Sequence, residues 1–281
     1  MSDRPAIEAV DPAADRAVDL DRYGPWAVIA GGSEGVGASF ARQLAESGFN
    51  LVLVARKPGP LEETASSVRA LGVEVRTLSL DLTDAASVEK LAGATADLEV
   101  GLLIYNAGAN SYGRRFLDGD LDGFRGVIDL NVTTPLALAH HYGRLMRTRG
   151  KGGIVLVGSL AGYLGTPREA VYGGAKAFGR IFAEGFWLEA KEAGIDVLEL
   201  VLGLTRTPAM ERAGLNFDLP GMVVGEPDAI AREGLAAIGD GPVHVISGNE
   251  GVVAMRGSAD RAKLVVGTHQ MMQKLVPETA G

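Results

Sequence analysis

Strand-like and helix-like segments alternate along most of the chain, which predicts an α/β protein built on one doubly wound parallel sheet of about seven strands. Three observations carry that expectation. Short apolar runs rich in Val, Ile and Leu recur, each followed by a segment long enough for one helix. Runs of this kind suit strands buried on both faces, which lack the alternation of half-exposed strands. A glycine-rich stretch from Gly31 to Gly37 also separates the first apolar run from the first helical pattern.

Taken in order, the apolar runs predict strands at 27–30, 51–55, 74–80, 101–105, 153–158, 196–202 and 243–247. Helices are expected at 35–47, 61–71, 85–96, 124–149, 170–193 and 227–238. Right-handed crossovers between successive strands place any ligand at the C-terminal ends of those strands. Residues 1–22, rich in Asp and Ala, read as a tail, with a short helix docked on the surface as the alternative, and 23–281 as a single domain. Residues 248–281 form a C-terminal extension with a helical pattern over 259–275. There, Val265, Val266, Met271, Met272 and Leu275 suit packing in the same chain, contact with a neighbouring subunit, or a roof over a ligand.

Composition narrows the function class. A chain of 281 residues with 47% hydrophobic content can bury one substantial core. No run approaches the ~18–20 apolar residues of a membrane span, and the N-terminus lacks the pattern of a signal peptide. With no cysteine there is neither disulfide nor thiolate chemistry, and a cytoplasmic location is expected. A net charge of -8 argues against a general nucleic-acid binder. His140, His141, His244 and His269 lack the spacing of metal ligands, so no metal is expected.

The chemistry sits in two places. A strand, a glycine turn and a helix in that order can cradle a phosphate, because glycine lets the backbone approach and the helix N-terminus offers free N–H groups. The spacing is GxxxGxG over Gly31, Gly35 and Gly37. Tyr172 and Lys176 stand one helical turn apart on the same face. A phenol titrates near ~10, and a neighbouring ammonium is expected to lower that value towards the working range of an acid–base catalyst. Ser159 can orient a carbonyl beside the phenol, and Asn131 can serve as a polar relay.

These motifs, in this order, resemble the short-chain dehydrogenase/reductase (SDR) family, over about Tyr23 to Val245. The family's TGxxxGxG is similar to Ala30-Gly31 through Gly37, with Ala for the first Thr. Its NNAG is similar to Tyr105-Asn106-Ala107-Gly108, with Tyr for the first Asn. Its PGxxxT is similar to Leu202-Gly203-Leu204-Thr205-Arg206-Thr207, without the proline. The resemblance implies a Rossmann-type fold, a nicotinamide cofactor and the catalytic tetrad Asn131, Ser159, Tyr172 and Lys176. Cofactor contacts are then expected from Gly31, Ser33, Glu34, Gly35, Val36 and Gly37, and from Asp81 and Leu82 at the adenine. Asn106, Ala107 and Gly108 follow, then Tyr172 and Lys176, and Gly203, Thr205 and Thr207 at the carboxamide.

Charge at the end of the second strand predicts NADP(H). An acid there would accept hydrogen bonds from the ribose of NAD, whereas Ala55 is followed by Arg56 and Lys57, which suit a 2′-phosphate. Glu34 pulls the other way. The substrate is expected under a lid over 208–225, with help from 110–116 and 160–168. Met210, Leu215, Phe217, Leu219, Met222 and Val223 make that lid apolar. The segments Tyr23-Gly24-Pro25-Trp26 and Leu202-Gly203 resemble bacterial NADP-dependent 7β-hydroxysteroid dehydrogenases. A secondary alcohol/ketone pair on a bulky, hydroxysteroid-like substrate is therefore expected. The alternatives are a β-ketoacyl or small-carbonyl reductase, or a non-catalytic NADP(H)-binding sensor. The family resemblance also implies a homodimer or homotetramer.

Overall fold

A computed structural model describes residues 18–212, 214, 216–217, 223–257, 264, 266–268 and 270. Seven parallel strands form the main sheet: β1 (Trp26–Ala30), β2 (Asn50–Ala55), β3 (Val75–Ser79), β4 (Val100–Tyr105), β5 (Gly152–Ser159), β6 (Ile195–Leu202) and β9 (Val243–Val245). Their spatial order is β3-β2-β1-β4-β5-β6-β9, so the direction of winding reverses between β1 and β4. Such a switch point opens a crevice at the C-terminal strand ends. Strands β7 (Leu204–Thr205) and β8 (Val224–Gly225) form a separate two-residue pair above that edge.

The helices are α1 (Leu20–Tyr23), α2 (Gly35–Glu46), α3 (Pro58–Arg69), α4 (Ser87–Ala94), α5 (Leu121–Ile128), α6 (Thr134–Arg149), α7 (Ala170–Lys191), α8 (Pro208–Arg212), α9 (Pro227–Ala236) and α10 (Glu250–Arg256). Side chains alternate across the sheet and fill two apolar layers. Ile29, Leu51, Leu53 and Leu102 pack with Phe40 and Leu44 of α2 and Ile230 of α9. Val28, Val52, Leu103 and Ile154 pack with Leu91, Leu138, Tyr142 and Ala183 on the opposite face. Each fully buried Leu or Ile contributes about 1.5–3 kcal/mol relative to exposure.

The helix expectations are revised at two places. The segment 124–149 is not one helix: α5 and α6 are separated by a π turn, Asp129–Thr133. Pro135 has no N–H to return to the carbonyl four residues back, and the Thr134 N–H bonds instead to the Asp129 carbonyl, five residues back. Helix α3 starts at Pro58 rather than 61, using proline's tolerance for the first turn. Of the segment 1–22, residues 18–22 are described, and they lead into the short docked helix α1. Val18 is buried, and Arg22 and Tyr23 anchor α1 by hydrogen bonds of 2.6 and 2.7 Å to Asp196. After β9 the structure has α10 at Glu250–Arg256, whereas most of 259–275 lies outside the described residues.

Candidate active site

The glycine turn links β1 to α2, and its shape leaves no choice of residue at two positions. Gly31 has φ +85°, and a Cβ there would lie 2.8 Å from the Ala107 backbone. A Cβ on Gly37 would lie 1.9 Å from the Gly31 carbonyl oxygen. The Asn106 side chain braces the same turn by donating to the Gly31 carbonyl at 2.9 Å, so its amide supports the cradle from below. Thr64 donates to the Ser33 carbonyl at 2.9 Å, while Val36 is buried beneath. Helix α2 has no side-chain cap at its N-terminus, which leaves its first N–H groups to face an anion.

Around this cradle the other expected residues divide. Arg56 and Lys57 stand exposed where β2 ends, and the Arg56 carbonyl is held by Ser79 at 3.0 Å. The Asp81 carboxylate accepts from the Thr83 N–H at 3.0 Å and hydroxyl at 2.8 Å. The Thr83 N–H is the main reason that carboxyl sits below its ordinary pKa, with the Arg56 charge helping. Leu82 is buried, and its carbonyl accepts from Thr134. Thr207 packs on the turn, 3.0 Å from a Cβ placed on Gly35, and Thr205 is buried with its hydroxyl on the Gly203 carbonyl. Glu34, the one acid of the turn, is met by Arg212 of α8 at 2.6 Å.

Ser159 ends β5, Tyr172 and Lys176 lie on the first turns of α7, and Asn131 projects from the π turn. The structure brings all four together at the sheet's C-terminal edge. The Ser159 hydroxyl lies near the Tyr172 phenol and accepts from the Ala161 N–H at 3.1 Å. Lys176 is buried and donates from Nζ to the Val157 carbonyl at 2.8 Å, with Nζ 5.7 Å from the centre of the Tyr172 ring. Asn131 donates to the Val127 and Ala109 carbonyls at 2.9 and 3.0 Å, which leaves its Oδ1 buried and without a partner among the described residues. Gly108 joins these groups: a Cβ there would lie 2.3 Å from Lys176 Nζ and 2.7 Å from Asn131 Oδ1.

The electrostatics depart from expectation. Burial pushes the Tyr172 phenol above its ordinary pKa, and the nearby Ser159 hydroxyl only partly offsets this. Lys176 does not depress it here, because the ammonium is turned towards Val157. Burial also pushes Lys176 down, to about 8, while Glu199 acts in the opposite sense. A phenol held protonated is suited to giving a proton rather than taking one.

Sequence reading missed several groups around this cluster. Arg256 of α10 reaches the Leu160 carbonyl at 2.5 Å, so the C-terminal extension clamps the turn that follows Ser159. Buried Asn249 approaches the backbone at Gly203, where a Cβ would lie 2.3 Å from its Oδ1. Glu199, in the middle of β6, is buried behind Lys176. Of the lid, Met210 and Val223 are exposed and Phe217 lies under Arg206 at 4.7 Å, while Leu215, Leu219 and Met222 lie outside the described residues. The segments 110–116 and 160–168 meet where Asn110 donates to the Arg168 carbonyl at 3.4 Å.

Among the described residues no cluster of acids and histidines could hold a metal, and no helix is long and apolar enough to cross a membrane. The uncapped helix, the glycine cradle and the exposed basic pair fit a phosphorylated dinucleotide.

Known proteins resemble the chain over this same region. It is 33% identical over 207 residues to the 7beta-hydroxysteroid dehydrogenase of Collinsella aerofaciens, covering 73% of this chain and 76% of that one. It is 34% identical over 223 residues to a very-long-chain 3-oxoacyl-CoA reductase of Neurospora crassa, covering 78% and 66%. A solved short-chain dehydrogenase of Sphingobium yanoikuyae in complex with NADPH superposes with a TM-score of 0.73 at 30% identity, covering 92% and 98%. The family profile described as short chain dehydrogenase matches residues 25–216, a span that takes in the glycine turn, all four clustered polar side chains and Thr207. The chain therefore belongs to the short-chain dehydrogenase/reductase family of oxidoreductases.

Proposed function

We propose that this protein is an NADP(H)-dependent oxidoreductase that interconverts a secondary alcohol and a ketone on a bulky hydrophobic substrate. One observation carries the reading: Asn131, Ser159, Tyr172 and Lys176 converge at the C-terminal edge of the sheet, with Lys176 Nζ 5.7 Å from the centre of the Tyr172 ring. A substrate carbonyl placed beside Ser159 accepts its hydroxyl hydrogen bond and lies within reach of the phenol. Tyr172 then gives its proton to the carbonyl oxygen, and the elevated pKa keeps that proton available through neutral pH. Lys176, charged below about pH 8, lies on the same helix face as the oxygen that becomes anionic. Asn131 shapes the π turn and offers its buried Oδ1 to the interior. When bound, the cofactor supplies the hydride; the chain supplies orientation and the proton.

Arg56 and Lys57 would hold the 2′-phosphate, with the α2 N-terminus, Gly31, Ser33, Gly35 and Gly37 along the diphosphate and Gly203, Thr205 and Thr207 at the carboxamide. The pairing of Glu34 with Arg212 removes the charge that argued against NADP(H). Two lines support a bulky substrate: the hydroxysteroid dehydrogenase relative, and exposed apolar residues at the mouth, Phe116, Leu117, Met210 and Val223. The Neurospora relative favours a second reading, a long acyl chain carrying a 3-oxo group. Exposed Leu145 of α6 and Ile181 and Leu188 of α7 support homodimer or homotetramer assembly.

The test is NADPH consumption against steroid, polycyclic, 3-oxoacyl and small ketones, with NADH and Tyr172→Phe in parallel. Turnover of a bulky ketone that requires NADPH, and that falls by about 10²–10⁴-fold in Tyr172→Phe with cofactor affinity intact, is expected. Near-normal turnover in that variant would overturn the assignment of Tyr172.

A further inference from the structure

Behind the catalytic helix lies a cleft that the reaction described above leaves without a role. Its volume is about 30 Å³, room for about one water molecule. The polar groups on its wall include Lys176, Asn131 and Glu199, and its outer wall includes Pro135, Leu136, Phe178 and Phe182 of α6 and α7. It therefore runs from the helix surface to the rear of the catalytic lysine.

Glu199 is out of place as a core residue. It sits at the centre of β6 with 2% exposure, and its Oε2 is buried without a hydrogen-bond partner among the described residues. Two glycines make the room it occupies. A Cβ on Gly158, the residue before Ser159, would lie 2.5 Å from Glu199 Oε1, and one on Gly179 would lie 3.6 Å away. A carboxyl built into the core without a bonding partner costs stability, so its place beside a buried lysine calls for a functional account. The charged and titratable groups that face it are Lys176, Arg180 and Glu184 of α7 and Tyr163 of the turn after β5.

We propose that Glu199 is a positioning residue for the catalytic lysine: the two titrate as a coupled pair, and Glu199 passes protons between the α6/α7 cleft and Lys176. The inference rests on the reductase reading for its use but not for its test. In each reduction Tyr172 loses its proton to the product hydroxyl. The phenolate regains one from the Lys176 ammonium, the lysine regains one from the Glu199 carboxyl, and the carboxylate takes one from solvent through the cleft. One proton enters and one leaves with the product, so the chain ends each cycle unchanged. Glu199 raises the lysine's pKa and Lys176 lowers the carboxyl's, as coupling requires.

The experiment follows the Lys176 side chain directly, by NMR of protein carrying ¹³C/¹⁵N-labelled lysine, with the resonance assigned by its loss in Lys176→Met. No cofactor or substrate is added. In the wild-type protein the resonance should titrate well below an ordinary lysine and show a second inflection from Glu199. In Glu199→Gln its midpoint should fall by about one pH unit, and Glu199→Asp, which keeps the charge, should restore most of that shift. The alkaline limb of kcat/KM for ketone reduction should move down with it. A single inflection in the wild type, or an unmoved midpoint in a folded Glu199→Gln, would overturn the proposal. The wild-type titration decides the matter even if the variants fail to fold. Absence of turnover on every ketone, with the coupling intact, would count against the reductase reading alone.

Discussion

Arg212 Nη2 lies 2.6 Å from Glu34 Oε1, joining α8 to the glycine turn between β1 and α2. The pair sets a positive charge beside the one acid in that turn. Both side chains are substantially exposed, which makes the effect modest and sensitive to salt. Arg212→Ala should weaken NADPH binding about two- to fivefold at low ionic strength and less at high salt. Arg212→Ala combined with Glu34→Gln should bind as the wild type does. Titration of cofactor fluorescence at two salt concentrations checks both.

Arg56 provides the sharper test of cofactor choice. Its guanidinium stands exposed at the end of β2, where a 2′-phosphate would meet it. Charge-assisted bonds to phosphate are strong, so Arg56→Ala should weaken NADPH binding about ten- to hundredfold and leave NADH binding within about twofold. Equal losses for the two cofactors would remove Arg56 from the phosphate site.

Gly108 separates folding from catalysis. A methyl group there collides with the tip of Lys176 and with Asn131 Oδ1, and no backbone atom is among its nearest neighbours. A flexible side chain can move aside, so Gly108→Ala should fold with a nearly unchanged melting temperature. Displacing the lysine should lower kcat about a hundredfold. Gly37→Ala, whose Cβ would meet the Gly31 backbone at 1.9 Å, should lose both fold and cofactor binding.

Glu199 should leave a mark on stability. Burial raises its pKa in the folded state to about 8, above the ordinary value of 4.5. The folded protein then holds a proton that the unfolded chain has released, so this contribution is full below the unfolded value and is lost as pH rises through the folded one. Stability should fall between about pH 5 and pH 8, by up to about 4 kcal/mol, and Glu199→Gln should flatten that slope. Lys176 works in the next window: its depressed value makes stability rise again between about 8 and its ordinary 10.5. Urea midpoints across this range test both signs.

The sequence by itself determined the sheet and most of the site. Every strand of the main sheet falls within one or two residues of its apolar run, because strands covered on both faces are predominantly apolar. The glycine turn was legible because only glycine tolerates the positive φ of Gly31 and the contact at Gly37. Tyr172 and Lys176 were legible because helical periodicity alone puts them on one face. The π turn left a trace in Pro135 that a simple helical pattern overrode.

What only the tertiary structure decided are the relations between distant segments. The apolar run around Glu199 marks its strand as buried, but what the carboxyl meets comes from Gly158 on the neighbouring strand and Gly179 on the covering helix. Arg212 meets Glu34, and Arg256 meets Leu160, across spans that periodicity cannot reach. The direction of the Tyr172 pKa belongs to the same class, because it depends on how deeply the phenol is buried and where the Lys176 ammonium points. Local pattern fixes which residues share a helix face or a strand, whereas desolvation and charge pairing depend on what the fold brings against them.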